Sequence, residues 1–222
     1  MRESVRPRIG ITLFLAATLA LLLCCTACGK KVASQVSHPS PSGTLGDVLV
    51  VVADRDFNDS EFWALHDSLA QAGYRPVVAS ASGGEAKGMD GTTVTADLKL
   101  ADVQAGDYRA LAIVGGPGIQ DLWDDARLQE LTRETAADGK AVGAICLAPV
   151  VLARAGLLQG KKGTVWSDQR SELSDAGCDV QDDAVVVDGL VVTGNGPDAA
   201  DEFARAFITT LGAARGGLTP VD

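Results

Sequence analysis

Residues 142–149 read VGAICLAP, which places Cys146 where an apolar run turns into a helical stretch. Ala144 two residues before it and Ala148 two after are the small residues that a tight strand-to-helix turn demands, because side chains there press against neighbouring backbone. The pattern predicts a nucleophile elbow. A helix starting just beyond Cys146 would aim free amides and the positive end of its dipole at the sulfur. That predicts a thiol pKa below its reference of about 8.5, with a stabilised thiolate or sulfinate. A buried, inert cysteine is the plainer alternative.

Two further segments could meet such a sulfur. Residues 57–61 read FNDSE, and the spacing of Asn58 and Glu61 is that of a capping box, with Asn58 as N-cap and the carboxylate folded back on its amide. Glu61 could equally face the thiol, donating a hydrogen bond when protonated or acting as a base when ionised. Residues 114–118 read VGGPG; Gly115 and Gly116 would let backbone amides approach a reacting centre, and the amides of Gly116 and Leu147 are the candidate oxyanion donors. A tight turn leaving a strand accounts for the same glycines. The run lacks the Lys-Ser/Thr ending of a phosphate loop, so no nucleotide is indicated.

Histidine is scarce: His38 and His66 are the two in the chain, and His66 falls inside a helical stretch, where a surface or packing role is expected. A Cys–His dyad is therefore not expected. Asn58 and Trp166 are candidates for the pocket mouth, Trp63 and Trp123 for packing or an interface, and Cys178 for a structural thiol. Asp54, Asp56 and Asp59 lack the ligand ring of a calcium loop and read as solvated loop charges; no metal and no cofactor is expected.

The elements that must hold these residues alternate. Residues 47–53 (DVLVVVA), 77–79, 110–114 and 141–145 are short apolar runs of the kind buried on both faces of a parallel sheet. Between them, residues 61–72 place Phe62, Leu65 and Leu69 on one helical face, and a second helix runs from a cap at Asp124 to Asp138. Residues 92–100 hold short strands, 150–155 and 170–176 are helical, and 163–166 is extended. Asp188-Gly189 marks a hairpin within 185–192, and residues 199–211 close the chain as a helix. The alternation predicts a three-layer α/β sandwich with a mostly parallel central sheet. Residues 54–60, 115–118 and Cys146 then all fall at carboxyl ends of strands, where sites in such sheets lie.

The chain of 222 residues carries a net charge of −10, which argues against a nucleic-acid partner. Its beginning reads apart from the rest. Arg2, Arg6 and Arg8 precede an apolar run, residues 9–23, too short to span comfortably as a mature membrane helix. It ends CCTACG, similar to a bacterial lipobox, so residues 1–27 are expected to be a lipoprotein-type signal peptide and Cys28 the acylated first residue; ordinary cleavage, or use of Cys24 or Cys25, is the alternative. Loss of residues 1–27 removes three Arg and one Glu, taking −10 to −12. Residues 28–46, rich in Ser, Pro and Gly, read as a flexible tether, residues 47–212 as the domain and 213–222 as a tail. The expectation is an exported protein anchored to the bilayer through Cys28.

Four segments, FNDSE at 57–61, VGGPG at 114–118, AICLAP at 144–149 and GLLQGKKGT at 156–164, together resemble the ThiJ/PfpI superfamily, with its Parkinson's-associated deglycase-like proteins and PfpI-type proteases. The resemblance implies a flavodoxin-like sandwich, usually dimeric, with the elbow cysteine (Cys146) beside a glutamate from the loop after the first strand (Glu61). The chain departs from the pattern at Leu147, where protease-like and amidotransferase-like members carry His. It departs again at Val165-Trp166-Ser167, where deglycase-like ones carry His. Protease and amidotransferase chemistry is accordingly not expected. The expected activity is addition of Cys146 to small carbonyl compounds; the alternative is a non-catalytic redox-sensing or ligand-binding module.

Overall fold

A computed structural model describes residues 45–215. The expected signal peptide, Cys28, the tether up to residue 44 and residues 216–222 lie outside the described residues.

The first strand, β1 (Asp47–Val51), is buried from Val48 onward, as an alternation-free apolar run must be when both sheet faces are covered. A short strand β2 (Arg55–Phe57) leads into helix α1 (Asp59–Gln71), which buries Phe62, Leu65 and Leu69. The chain continues through β3 (Arg75–Ser80), the hairpin β4 (Gly84–Gly88) and β5 (Thr93–Ala96), and β6 (Leu98–Lys99). Then come β7 (Ala110–Ile113), α2 (Ala126–Ala137), β8 (Ala141–Ile145) and α3 (Pro149–Arg154). The last third holds β9 (Lys162–Gly163), α4 (Arg170–Asp175), β10 (Asp179–Val180), the hairpin β11 (Val185–Asp188) and β12 (Val191–Gly194), and α5 (Ala200–Arg215).

Seven strands form the central sheet in the order β11-β12-β8-β7-β1-β3-β6, parallel except for the β11-β12 hairpin. Helices α1 and α5 pack together on one side; α2, α3 and α4 associate on the other. This is the α/β sandwich expected from the alternation. Strand β1 hydrogen-bonds to β3 on one side and β7 on the other, so the winding direction changes between β1 and β7. Such a switch point opens a crevice at the carboxyl ends of the strands. The loops after β1 and β7 meet there, with the turn after β8 next to them.

Several expected boundaries move. The cap of α2 is Asp125, whose carboxylate accepts from the Leu128 amide at 2.8 Å; Asp124 pairs with Arg154 instead. The closing helix continues to Arg215. Residues 54–60 do not form a plain loop. They contain β2, which joins β4 and β5 in a separate three-stranded sheet. The aspartates there are not simply solvated charges. Asp59 is buried and accepts from the amides of Asp90 at 2.9 Å and Thr92 at 2.8 Å, pinning the β4–β5 turn to the start of α1. Asp54 accepts from the Ser82 amide and hydroxyl at 3.1 and 2.7 Å. Asp90-Gly91 at the hairpin tip is the sequence signal for that turn.

Candidate functional site

Cys146 follows β8 directly and has φ +64°, one of two described non-glycine residues at positive φ. An L-residue with a Cβ is strained there by about 1–2 kcal/mol. The turn is held from several directions. The Cys146 amide donates to the Gly194 carbonyl at 2.9 Å, and its carbonyl accepts from the Trp166 amide at 2.9 Å. Next along the chain, the Leu147 carbonyl accepts from the indole Nε1–H of Trp123 at 3.0 Å. Ala144 and Ala148 are wholly buried, as the elbow spacing requires.

Glu61 reaches this turn from the first turn of α1. Asn58 is the N-cap, its Oδ1 accepting from the Glu61 amide at 3.1 Å. The reciprocal half of the capping box is absent, because the Asn58 amide donates to the Gly115 carbonyl at 3.0 Å. The Glu61 carboxylate is thereby released from its own helix end. Its Oε2 accepts from the Gly115 amide at 3.0 Å. The carboxyl lies beside the Cys146 thiol, and each shifts the other's proton affinity. Glu61 is 1% exposed, and its Oε1 has no hydrogen-bond partner of good geometry. The sulfur is the polar group beside that carboxyl.

The two glycines after β7 are dictated by closeness. A Cβ on Gly115 would stand 2.5 Å from Cys146 Cβ and 2.7 Å from Glu61 Oε2. Gly116, at φ +98°, would place one 2.4 Å from the Asp56 carbonyl oxygen. Both the turn and the close approach of amides are therefore real. The amides of Gly116 and Leu147 both donate toward the Cys146 sulfur.

The charge balance differs from the sequence expectation. Burial pushes Glu61 up from an ordinary 4.5 to about 7, against the opposing pull of the Cys146 thiol and the Gly115 amide. Burial, and then the negative charge of Glu61, push the Cys146 thiol up to about 12, although the Gly116 and Leu147 amides favour the thiolate. The lowered thiol pKa expected from a helix dipole is thus reversed. Helix α3 begins at Pro149 and has only six residues, while Cys146 is 6% exposed, so desolvation outweighs a short helix end. At neutral pH the pair holds a thiol beside a carboxyl poised between its two states.

The other candidates separate from this pair. Asn58 is buried and caps α1. Trp166 lines a cavity of about 380 Å³ together with Arg170, Asp182, Asn195 and Asp198, next to the elbow backbone it bonds. Trp123, read from sequence as packing, does pack against the core and also clamps the peptide after Cys146 through its indole N–H, with Arg154 over its ring at 5.1 Å. No sequence signal marked it, because a contact spanning 24 residues leaves no local spacing pattern. His66 hydrogen-bonds Asp67 and packs on Phe62 and Trp63. Cys178 is buried against Gly163. Among the described residues no cluster of three or more His, Cys, Asp or Glu could hold a metal ion, and no helix is long and apolar enough to cross a membrane.

Residues 47–210 match the sequence profile of the DJ-1/PfpI family. An uncharacterized protein of Methanocaldococcus jannaschii is 43% identical over 167 residues, which cover 74% of this chain and 82% of that protein. A deglycase of Pyrococcus abyssi is 32% identical over 74% of this chain and 98% of its own length. The crystal structure of a ThiJ/PfpI domain protein from Brachyspira murdochii superposes with a TM-score of 0.74 at 32% identity, covering 75% of this chain and 96% of that one.

Proposed function

The chain belongs to the DJ-1/PfpI family, and from that premise we propose that Cys146 adds to small carbonyl compounds such as 2-oxoaldehydes, with Glu61 carrying the proton. The observation that carries this reading is the buried Glu61 carboxyl, near-neutral in pKa, beside a strained elbow thiol faced by two amides. That some relatives bear the name deglycase agrees with it. Because the thiol is held protonated, proton removal and bond formation go together. Ionised Glu61 takes the S–H proton as sulfur bonds the carbonyl carbon, and the C=O π electrons move onto oxygen. Glu61 then returns the proton to that oxygen, leaving a hemithioacetal and a regenerated carboxylate. The Gly116 and Leu147 amides, which face the sulfur, are the candidate donors to the developing charge. Leu147 occupies the position after the nucleophile and supplies no base, so the reading does not extend to peptide or amide hydrolysis.

The test is consumption of methylglyoxal by wild-type, Cys146→Ser and Glu61→Gln protein. Loss of consumption in the Ser variant and a strong fall in the Gln variant are expected; a Ser variant as fast as wild type would end the idea.

The unpartnered Glu61 Oε1 favours a second reading, in which Cys146 is a redox sensor. Two equivalents of peroxide would convert the thiol to a sulfinic acid with release of two waters, and an oxygen added to sulfur would meet that carboxyl. Mild peroxide should add two oxygens to Cys146 and leave Cys178 reduced. Equal oxidation of both would count against it.

We further propose that the domain is exported and held to the bilayer by acylation of Cys28, and that it forms a homodimer. The lipobox-like run at residues 24–29 supports the first and the family resemblance the second. Palmitate labelling of the full chain, lost on Cys28→Ser, would support the anchor; labelling retained in that variant would overturn the choice of Cys28. Light scattering of the purified chain decides between monomer and dimer.

A further inference from the structure

The cavity lined by Trp166 is a feature separate from the Cys146 thiol. Among the described residues Trp166 is the one exposed tryptophan, tyrosine or phenylalanine, at 41%. The residue is held in place on two sides. Its amide donates to the Cys146 carbonyl at 2.9 Å, and a Cβ on Gly196 would stand 2.9 Å from its Cε3 and 3.0 Å from its Cζ3, so glycine alone lets the chain pass that close. A fixed aromatic ring thus stands open in a concavity of about 380 Å³, a size that suits a small molecule.

The charges around that ring decide which class of molecule it takes. Arg170 is the cation in the walls, and it is committed: its Nη1 donates to the Gln181 carbonyl at 2.9 Å and pairs with Asp182 at 3.0 Å, and its Nη2 donates to the Val180 carbonyl at 3.4 Å. With Arg170 matched by Asp182, the carboxylate of Asp198 leaves one net negative charge beside the indole. Helix α5 starts two residues after Asp198, but Asp201 and Glu202 in its first turn already answer its positive end. An anion is repelled by such walls, and a neutral molecule gains nothing from their charge. A cation gains twice, from the carboxylate and from the negative face of the indole. A bare metal ion is a poor match, since an indole has no lone pair to give and no cluster of three acidic, His or Cys ligands occurs among the described residues. An alkylated ammonium group suits both partners, because its methyl groups pack on the ring while its charge stays within the carboxylate's field.

We propose that this cavity binds an organic cation with an alkylated ammonium head, held by the Trp166 ring and the Asp198 carboxylate together. Ser167 and Asn195, in the same walls, offer hydrogen bonds to a hydroxyl or carbonyl on the ligand's tail. The net charge of −10 on the whole chain draws cations toward it. The site is independent of the reading of Cys146: it uses neither the thiol nor Glu61, and it asks for no carbonyl on the ligand.

The test titrates choline into the full chain and follows the tryptophan indole N–H signals by NMR, the Trp166 signal being the one missing from Trp166→Phe. The controls are dimethylbutanol, the uncharged isostere of choline with carbon in place of nitrogen, and sodium phosphate at the same ionic strength. Choline should move the Trp166 signal saturably at millimolar concentrations. The isostere should bind about tenfold more weakly or less, and phosphate should leave the signal in place. By calorimetry, Trp166→Ala should weaken choline binding about tenfold, Trp166→Phe should keep most of it, and Asp198→Asn should weaken it roughly threefold to tenfold. The isostere comparison and Asp198→Asn leave the ring in place, so the outcome does not depend on Trp166→Ala folding. No binding of choline, an isostere that binds as tightly as choline, or an affinity indifferent to Asp198→Asn would overturn the site. Cys146→Ser should bind choline like wild type, so failure of this site and failure of methylglyoxal consumption are separate results.

Discussion

Replacing Glu61 by Gln should make the protein more stable above neutrality and leave it unchanged in acid. The buried carboxyl has its folded-state pKa raised from 4.5 to about 7 by burial. Between those values the native state binds more protons than the unfolded one, so stability falls as pH rises. The contribution of neutral Glu61 is fully present below pH 4.5 and is gone once the pH has passed through about 7. A shift of this size, at about 1.4 kcal/mol per pH unit, corresponds to about 3 kcal/mol. Gln keeps the side-chain oxygen that accepts from the Gly115 amide and cannot ionise, so it escapes that loss. Urea unfolding of both proteins at pH 4.5, 6 and 8 reads the difference directly. The Gln variant should match wild type at the lowest pH and gain about 1–3 M in midpoint at the highest, with m near 1–3 kcal/mol/M. A difference constant with pH, or a Gln variant less stable at pH 8, would refute the raised carboxyl.

Three other outcomes follow from the same geometry. Gly115→Ala should cost about 1–3 kcal/mol, because its Cβ would collide with both Cys146 and Glu61, and should slow alkylation or oxidation of Cys146 in step. Trp123→Phe removes the Nε1–H bond to the Leu147 carbonyl, so about 1 kcal/mol of stability should be lost and the pH profile of Cys146 alkylation should shift, while a ring with only a packing role would leave that profile in place. At Cys146 itself the usual order of Ala over Gly should invert: with φ +64°, Cys146→Gly should be the more stable of the two by about 1 kcal/mol in thermal or urea unfolding.

Much of the scaffold was legible in the chain because local rules decide it. The apolar runs at 47–53, 110–114 and 141–145 have no polar alternation, so they had to be covered on both faces, and they became β1, β7 and β8. The small residues flanking Cys146 announced a tight turn, which closes locally through the Ala148 amide on the Ile145 carbonyl, and Asn58 announced a helix start, its Oδ1 accepting from the Glu61 amide three residues on. Where a polar group could choose between a near and a far partner, sequence left the matter open. Glu61 leaves its own cap because Gly115, 54 residues along, takes the Asn58 amide with its carbonyl and offers its own amide to the carboxylate. Asp59, an ordinary loop charge by spacing, is buried on amides 31 and 33 residues away. The sign of the thiol shift was likewise a tertiary matter. A dipole argument needs only the order of strand and helix, whereas desolvation depends on how completely β7, β8 and α1 close over the sulfur, and that closure exists only once the sheet is assembled.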